Sequence, residues 1–403
     1  MRRVGIFLGV EPINGGMFHY AESVLEALCA LPVGEFRVVA AYVAPLWGPI
    51  LDRHRCEAVH LRAGRIGMRL ANLAMAAGLP AVTTRRLAGL SNPIVIQLAR
   101  LGCDAWLFPA QDSVGYQVEE TVVVSVHDLM HRYEPHFPEV SSQGRRAILD
   151  HRFQSLADHA AAVLVDSEVG RQQVVESYGT DPGKVYPLPY VAPRQVVAAE
   201  VPPDLEGRYA LPAKFLLYPA QFWPHKNHGR LVEALATLVA THPDLHLVCA
   251  GGKNHGYEAV EARVKALGLG GHVTFTGYVA DADLKGLYLR ARGLVFPTFF
   301  GPTNIPPLEA FACGCPVAVS WIYGMPEQVG DAAILFDPSS IPSIAEAMAR
   351  LWDDDALVES LRERGRAHAL AWGQAEFNQR LQVILQEVWR RGRARARASH
   401  TGR

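Results

Sequence analysis

At 403 residues the chain has the length for two domains, each with its own core. A composition of 49% hydrophobic and 20% charged residues excludes disordered, collagen-like and disulfide-scaffold classes. Lys and Arg total 39 against 40 Asp and Glu, so the net charge of -1 offers no global basic field for nucleic acid, and any basic surface is local.

The six cysteines, Cys29, Cys56, Cys103, Cys249, Cys313 and Cys315, contain no C-x-x-C. That argues against a zinc site or a disulfide framework and suits a reducing, cytoplasmic compartment. The N-terminus, MRRVGIFLGVEPINGG, begins basic and apolar like a signal peptide, but the apolar run breaks at Glu11-Pro12 without a small-residue cleavage pattern. It reads as a first strand. No uncharged apolar stretch reaches the roughly 18–20 residues of a membrane span, so a soluble or peripheral protein is expected.

In chain order, 3–9, 36–43, 105–109, 121–126 and 162–166 read as strands, and 16–28 as a helix with Phe18, Ala21, Leu25 and Leu28 on one face. The proline-rich, aperiodic stretch 185–213 reads as a linker. Strands resume at 215–219, 245–250, 273–276, 294–297, 317–320 and 334–336. Alternation of this kind predicts an α/β protein of two doubly wound parallel domains, 1–192 and 205–374, with functional loops at the carboxyl ends of the strands. Phe377, Leu381, Ile384, Leu385 and Val388 form an apolar stripe, so a helix at 375–390 is expected to pack on the protein, followed by a basic tail, 391–403, that reads as a solvated end.

Several segments carry chemistry. In FPTFFGPTNIPPLEAFACGCPVAVS (296–320) a strand is followed by a polar loop and then by Pro306-Pro307 opening a helix. The N–H groups of Asn304 and Ile305 and the positive helix end are expected to converge on an anion such as a diphosphate. Glu309, placed in the first turn, suits the vicinal diol of a ribose. In LLYPAQFWPHKNHGRLVEAL (216–235), Lys226 lies between a strand and a helix, where it can neutralise a leaving phosphate. His127 and Asp128 directly follow the strand VVVSV and suit a sugar hydroxyl or the orientation of a neighbour. Asn14-Gly15-Gly16 opens the first helix and permits close approach of a ligand, yet it is not a G-x-G-x-x-G fingerprint.

With these pieces in this order, the chain resembles the GT-B glycosyltransferases of family 4, retaining enzymes that use nucleotide-sugar donors. The likeness also runs through 163–189, 273–298 and 325–338 and is strongest in the C-terminal half. It implies two Rossmann-like domains facing a cleft, with the last helix crossing back to the first domain. It further implies that Lys226 contacts the donor diphosphate, that the Asn304–Ile305 backbone helps cradle it, that Glu309 holds the ribose, that His127 lies by the transferred sugar, and that Gly15 and Gly16 approach donor and acceptor; Thr303, with Asn304 and the helix dipole, is expected to share the task of opposing the diphosphate charge. No metal or other cofactor is implied.

Two positions depart from the family pattern. The first Glu of its E-x7-E motif falls on Gly301, and its arginine before the lysine falls on Gln221, which can bond a phosphate without bringing charge. The expected activity is transfer of a hexosyl or deoxyhexosyl group, with mannosyl or rhamnosyl preferred, to a hydroxyl of a glycan or lipid-linked acceptor in polysaccharide biosynthesis. The alternative, motivated by Gly301 and Gln221 and ranked behind the transferase, is an inactive nucleotide-sugar-binding protein or a partner subunit of another transferase. Arg53, Arg55, Arg62, Arg65 and Arg69 suggest either a solvated helix face or a peripheral contact with the inner face of the plasma membrane.

Overall fold

The computed structural model describes residues 1–11, 15–54, 56–62, 79–254 and 256–401, with backbone alone at 143 and 393–401. Asn14, Arg55, Arg65 and Arg69 lie outside the described residues. The chain divides into two compact units, one of Met1–Pro135, Val140–Pro189 and Gln374–Arg403, the other of His136–Glu139 and Tyr190–Gly373.

The first unit is built on a parallel sheet of seven strands, β1 (Arg2–Leu8), β2 (Phe36–Tyr42), β3 (Glu57–His60), β4 (Ala105–Phe108), β5 (Thr121–Ser125), β6 (Ala162–Val165) and β7 (Val185–Pro187), in the order β3-β2-β1-β4-β5-β6-β7. Every residue of β4 and β6 is buried, as expected for central strands covered on both faces. Gly5 is required in β1 because a Cβ there would fall 2.3 Å from the buried Trp106 ring. The order reverses between β1 and β4, so the crevice at their carboxyl ends is this sheet's topological switch point.

Two of these strands are not legible in the sequence. β3 has four residues that alternate between half-buried and exposed, and β7 has three within the expected linker. Both are edge strands whose identity comes from pairing rather than from an apolar run. The remainder of the linker holds two short helices, Arg194–Ala198 and Leu205–Tyr209.

The apolar stripe of the last helix is buried from Phe377 to Val388. It packs on helix Gly16–Cys29: the Tyr20 and Phe377 rings meet edge to face at 6.0 Å, and Gln374 Nε2 donates to Ser23 O at 2.9 Å. Trp389 stacks on Phe36 at 5.1 Å, with the Arg2 guanidinium 4.5 Å from its ring. The helix, Gln374–Thr401, does not stop where the stripe ends but runs through the expected tail, whose Ala and Arg residues are strong helix formers.

The second unit carries a parallel sheet of six strands, β8 (Leu216–Pro219), β9 (Leu247–Ala250), β10 (Val273–Gly277), β11 (Gly293–Phe296), β12 (Val317–Ser320) and β13 (Ala333–Phe336), in the order β10-β9-β8-β11-β12-β13. Its switch point lies between β8 and β11. Among the described residues, no helix is long and apolar enough to cross a membrane.

Candidate active site

In the second unit, the loops that leave β8 and β11 meet at the switch point. β8 runs into the 3-10 turn Pro224–Lys226, closed by Lys226 N–H donating to Trp223 O at 2.9 Å. The next residue, Asn227, has φ +60, a left-handed conformation that Asn tolerates well. Its Nδ2 donates to Pro297 O and Pro338 O, both at 2.9 Å, tying the β8 loop to the ends of β11 and β13. Tyr218 Oη donates to Lys226 O at 2.5 Å. The Lys226 backbone is thereby fixed from both sides, and its Nζ donates to Asn304 Oδ1 at 3.1 Å.

Asn304 caps helix Ile305–Ala312, which Pro306 and Pro307 open where missing N–H donors cost little. Its own N–H, expected to face an anion, is not available for one: it donates to Gln328 Oε1 at 3.1 Å, while Gln328 Nε2 donates back to Asn304 O at 2.8 Å. The Asn304 side chain therefore meets Lys226, and the Ile305 N–H heads the helix. Thr303 is buried beside it. Glu309 is the fifth residue of this helix, one turn further in than expected, and its buried Oε2 accepts from Tyr288 Oη at 2.6 Å. Burial, reinforced by the Glu309 charge, holds the Tyr288 hydroxyl protonated well above its usual range.

Both family departures have a local cause. Gly301 has φ +127, and a Cβ there would lie 2.6 Å from Asn304 Nδ2. The Asn304 amide fills the position, so a carboxylate side chain there would have to displace it. Gln221 Oε1 accepts from Trp223 Nε1 and from Asn254 Nδ2, both at 2.9 Å, which welds the β8 loop to the loop after β9.

His225, next to Lys226, has a partner that the sequence does not signal. Glu139 Oε1 accepts from the His225 backbone N–H at 3.2 Å and lies 2.8 Å from its Nδ1. Burial opposes the Glu139 charge, but these hydrogen bonds outweigh it and hold the carboxyl below its ordinary value. Phe299 N–H donates to His225 O at 2.8 Å, so the same residue joins the two loops.

In the first unit, His127 is buried at the end of β5, its Nε2 2.7 Å from Pro109 O and its N–H donating to Gln111 Oε1 at 3.0 Å. Burial pushes its pKa down against the opposing effects of the Pro109 carbonyl and Asp128. Its ring meets Tyr20 edge to face at 4.8 Å, so it is oriented by helix Gly16–Cys29. Asp128 Oδ1 accepts from Met130 N–H at 3.0 Å, an Asx turn rather than a contact with His127. Gly15 heads that helix with φ +56, the conformation that favours glycine, and Gly16 is its first residue.

Lys226, Gln221, Thr303, Asn304, Ile305 and Glu309 thus gather on the β8 and β11 loops and the helix behind them, while His127, Asp128, Gly15 and Gly16 gather at the carboxyl edge of the first sheet. Tyr288, Gln328 and Glu139 escape a reading of the sequence because each acts across a long separation in the chain.

Residues 208–368 match the family model "Glycosyl transferases group 1". The chain is 27% identical over 236 residues to O-antigen chain mannosyltransferase B of Escherichia coli, an alignment covering 58% of this chain and 62% of that protein. The chain spans less than two thirds of the length of the first curated relatives it matches. Among solved structures, sucrose-phosphate synthase from Thermosynechococcus elongatus superposes with a TM-score of 0.73 at 19% identity, covering 96% of this chain and 99% of that one. Anabaena Alr3699/HepE in complex with UDP-glucose superposes with a TM-score of 0.71 at 16% identity, covering 96% and 100%. The two doubly wound sheets have the GT-B fold.

Proposed function

We propose that the chain, whose residues 208–368 match the glycosyl transferases group 1 model, is a retaining transferase that moves a hexosyl or deoxyhexosyl group, mannosyl by preference, from a nucleotide-diphosphate sugar to a hydroxyl of a glycan or lipid-linked acceptor in polysaccharide biosynthesis. The observation that carries this reading is Lys226 Nζ held 3.1 Å from Asn304 Oδ1 across the switch point, beside the N-terminus of helix Ile305–Ala312. A cation and a helix end at such a crevice suit the two phosphates of a donor. The mannosyl preference rests on the O-antigen mannosyltransferase relative, and the donor class on the UDP-glucose held by the Anabaena protein.

Departure of the nucleoside diphosphate leaves an oxocarbenium-like centre while negative charge grows on the leaving group. Lys226 and the helix terminus oppose that charge, so the leaving group is neutralised by protein rather than by a resident metal. Front-face attack by the acceptor hydroxyl, with a donor phosphate oxygen taking its proton, needs no pair of carboxylates of the glycosidase kind. Glu309 holds the ribose, and His127, kept neutral by burial, bonds the transferred sugar.

The free state of all six cysteines supports a reducing cytoplasmic setting. The exposed Val82, Leu87 and Leu90 of helix Ala81–Ser91 support peripheral contact with a membrane. The test is a thermal-shift panel of nucleotide-sugars, followed by acceptor-dependent product analysis with the donor that binds best. A glycoside whose anomeric configuration matches the donor supports the reading. Donor binding without transfer or hydrolysis supports a nucleotide-sugar-binding subunit instead.

A further inference from the structure

His225 is the middle residue of the 3-10 turn Pro224–Lys226, and its backbone leads directly into Lys226. Two peptide groups make that turn, and each of their four polar atoms is held. Pro224 O accepts from Asn227 N–H at 3.1 Å, Lys226 N–H donates to Trp223 O at 2.9 Å, and His225 O accepts from Phe299 N–H at 2.8 Å and from Thr298 Oγ1 at 3.3 Å. These ties come from the β8 and β11 loops themselves. The fourth atom, the His225 N–H, is held from elsewhere: it donates at 3.2 Å to Oε1 of Glu139, 86 residues away in the chain.

The segment His136–Glu139 belongs to the second unit, although the residues on either side of it belong to the first. Its Phe137 is buried, with the ring 6.2 Å from that of His225 and 6.0 Å from that of Phe299, so the segment packs on both loops. Glu139 follows in the first turn of the short helix Pro138–Ser141. One carboxylate oxygen then serves two atoms of one residue, because Oε1 also lies 2.8 Å from His225 Nδ1. A carboxylate only accepts, so Nδ1 carries the ring proton, and the ring is fixed along with the backbone. Glu139 Oε2, by contrast, is enclosed without a hydrogen-bond partner among the described residues. Burying a carboxylate with one oxygen unmatched costs stability, so packing alone would favour an apolar side chain at position 139. What the carboxylate provides is the fixed geometry of His225.

We propose that Glu139 is a positioning residue for the donor: by holding the backbone and ring of His225 it sets the turn that carries Lys226, and with it the place where the Lys226 ammonium meets the donor diphosphate. The inference rests on the reading of Lys226 as the cation opposite the diphosphate, and it assigns the alignment of that cation to a carboxylate outside the two loops. Without Glu139 the turn keeps its other ties but gains play at His225. Misplacement of a binding group by about 1 Å is enough to lose much of what it contributes.

The experiment is a double-mutant cycle on the full chain, with UDP and GDP as probes and binding read by isothermal titration in the wild type, E139A, K226A and the E139A/K226A pair. E139A is expected to weaken the tighter-binding nucleotide about 10-fold. In the K226A background the same change is expected to cost about twofold or less, because the group it aligns is gone. E139Q, whose amide oxygen can accept the same two hydrogen bonds, is expected to stay within about threefold of the wild type. Loss of packing alone would instead lower the melting temperature and multiply with the K226A loss. Should E139A fail to fold, E139D takes its place, since it keeps the charge but falls one methylene short of His225, and the same pattern is expected. Unchanged affinity in E139A, losses that multiply in the double variant, or an E139Q loss equal to that of E139A each overturns the assignment. Absence of nucleotide binding in the wild type contradicts the transferase reading and this inference together, whereas binding with multiplying losses contradicts the inference alone.

Discussion

Lys226 Nζ donates to Asn304 Oδ1 at 3.1 Å, joining the loop after β8 to the loop after β11 at the switch point of the second sheet. Asn304 thereby orients the lysine through a neutral amide oxygen, without neutralising its charge. Asn304→Ala is expected to lower kcat/KM about 10-fold, on the scale of one hydrogen bond to a charged group. Steady-state kinetics with the preferred donor check this, and an unchanged kcat/KM contradicts it.

Restoring the family's carboxylate at position 301 fails for a geometric reason. Gly301 has φ +127, and its Cβ would meet the Asn304 amide at 2.6 Å. Gly301→Ala is expected to cost about 1–3 kcal/mol of stability through backbone strain. Gly301→Glu adds the displacement of Asn304 and is expected to lower turnover rather than raise it. Thermal unfolding and donor turnover of the two variants test the point.

Glu309 is buried with Tyr288 Oη 2.6 Å from its Oε2. A carboxylate held in this way binds a diol without having to be reordered. Glu309→Ala is expected to weaken donor affinity about 10-fold, with a smaller change in kcat, whereas Tyr288→Phe shows the same trend more weakly. Titration of the nucleoside diphosphate against the free nucleoside base separates ribose recognition from base recognition.

Acid is expected to destabilise the second unit through His228, which stacks on Phe222 at 4.1 Å and is buried. Burial pushes its pKa from the ordinary 6.5 down to about 3. In that window the unfolded chain binds a proton that the folded chain refuses, so stability falls as pH drops from 6.5 toward 3 and is indifferent to this group above 6.5. His228→Phe keeps the stacking and is expected to shallow that decline. Chemical denaturation from neutral pH down into the acid range shows whether the slope changes.

Most of the architecture is legible in the sequence because parallel strands buried on both faces are uninterrupted apolar runs: Leu216–Pro219, Val317–Ser320 and Ala162–Val165 stand out on their residue pattern alone. Edge strands such as Glu57–His60 do not, since alternate residues face water. The site is legible where its residues share a strand-loop-helix phrase, as Lys226 and Asn304 each do. What escapes is long-range: Gln328 occupies the Asn304 N–H, and Glu139 holds His225 from far along the chain. No local pattern marks either residue, because each is a hydrogen-bonding group whose role depends on what folding brings beside it.

The role of Lys226 in opposing charge on the departing diphosphate is tested most directly by donor turnover in the wild type and in Lys226→Ala. With the nucleotide-sugar that binds best, release of the nucleoside diphosphate is expected to fall about 100-fold or more in the variant, with thermal unfolding unchanged and EDTA without effect on the wild type. Turnover in Lys226→Ala equal to the wild type contradicts the account.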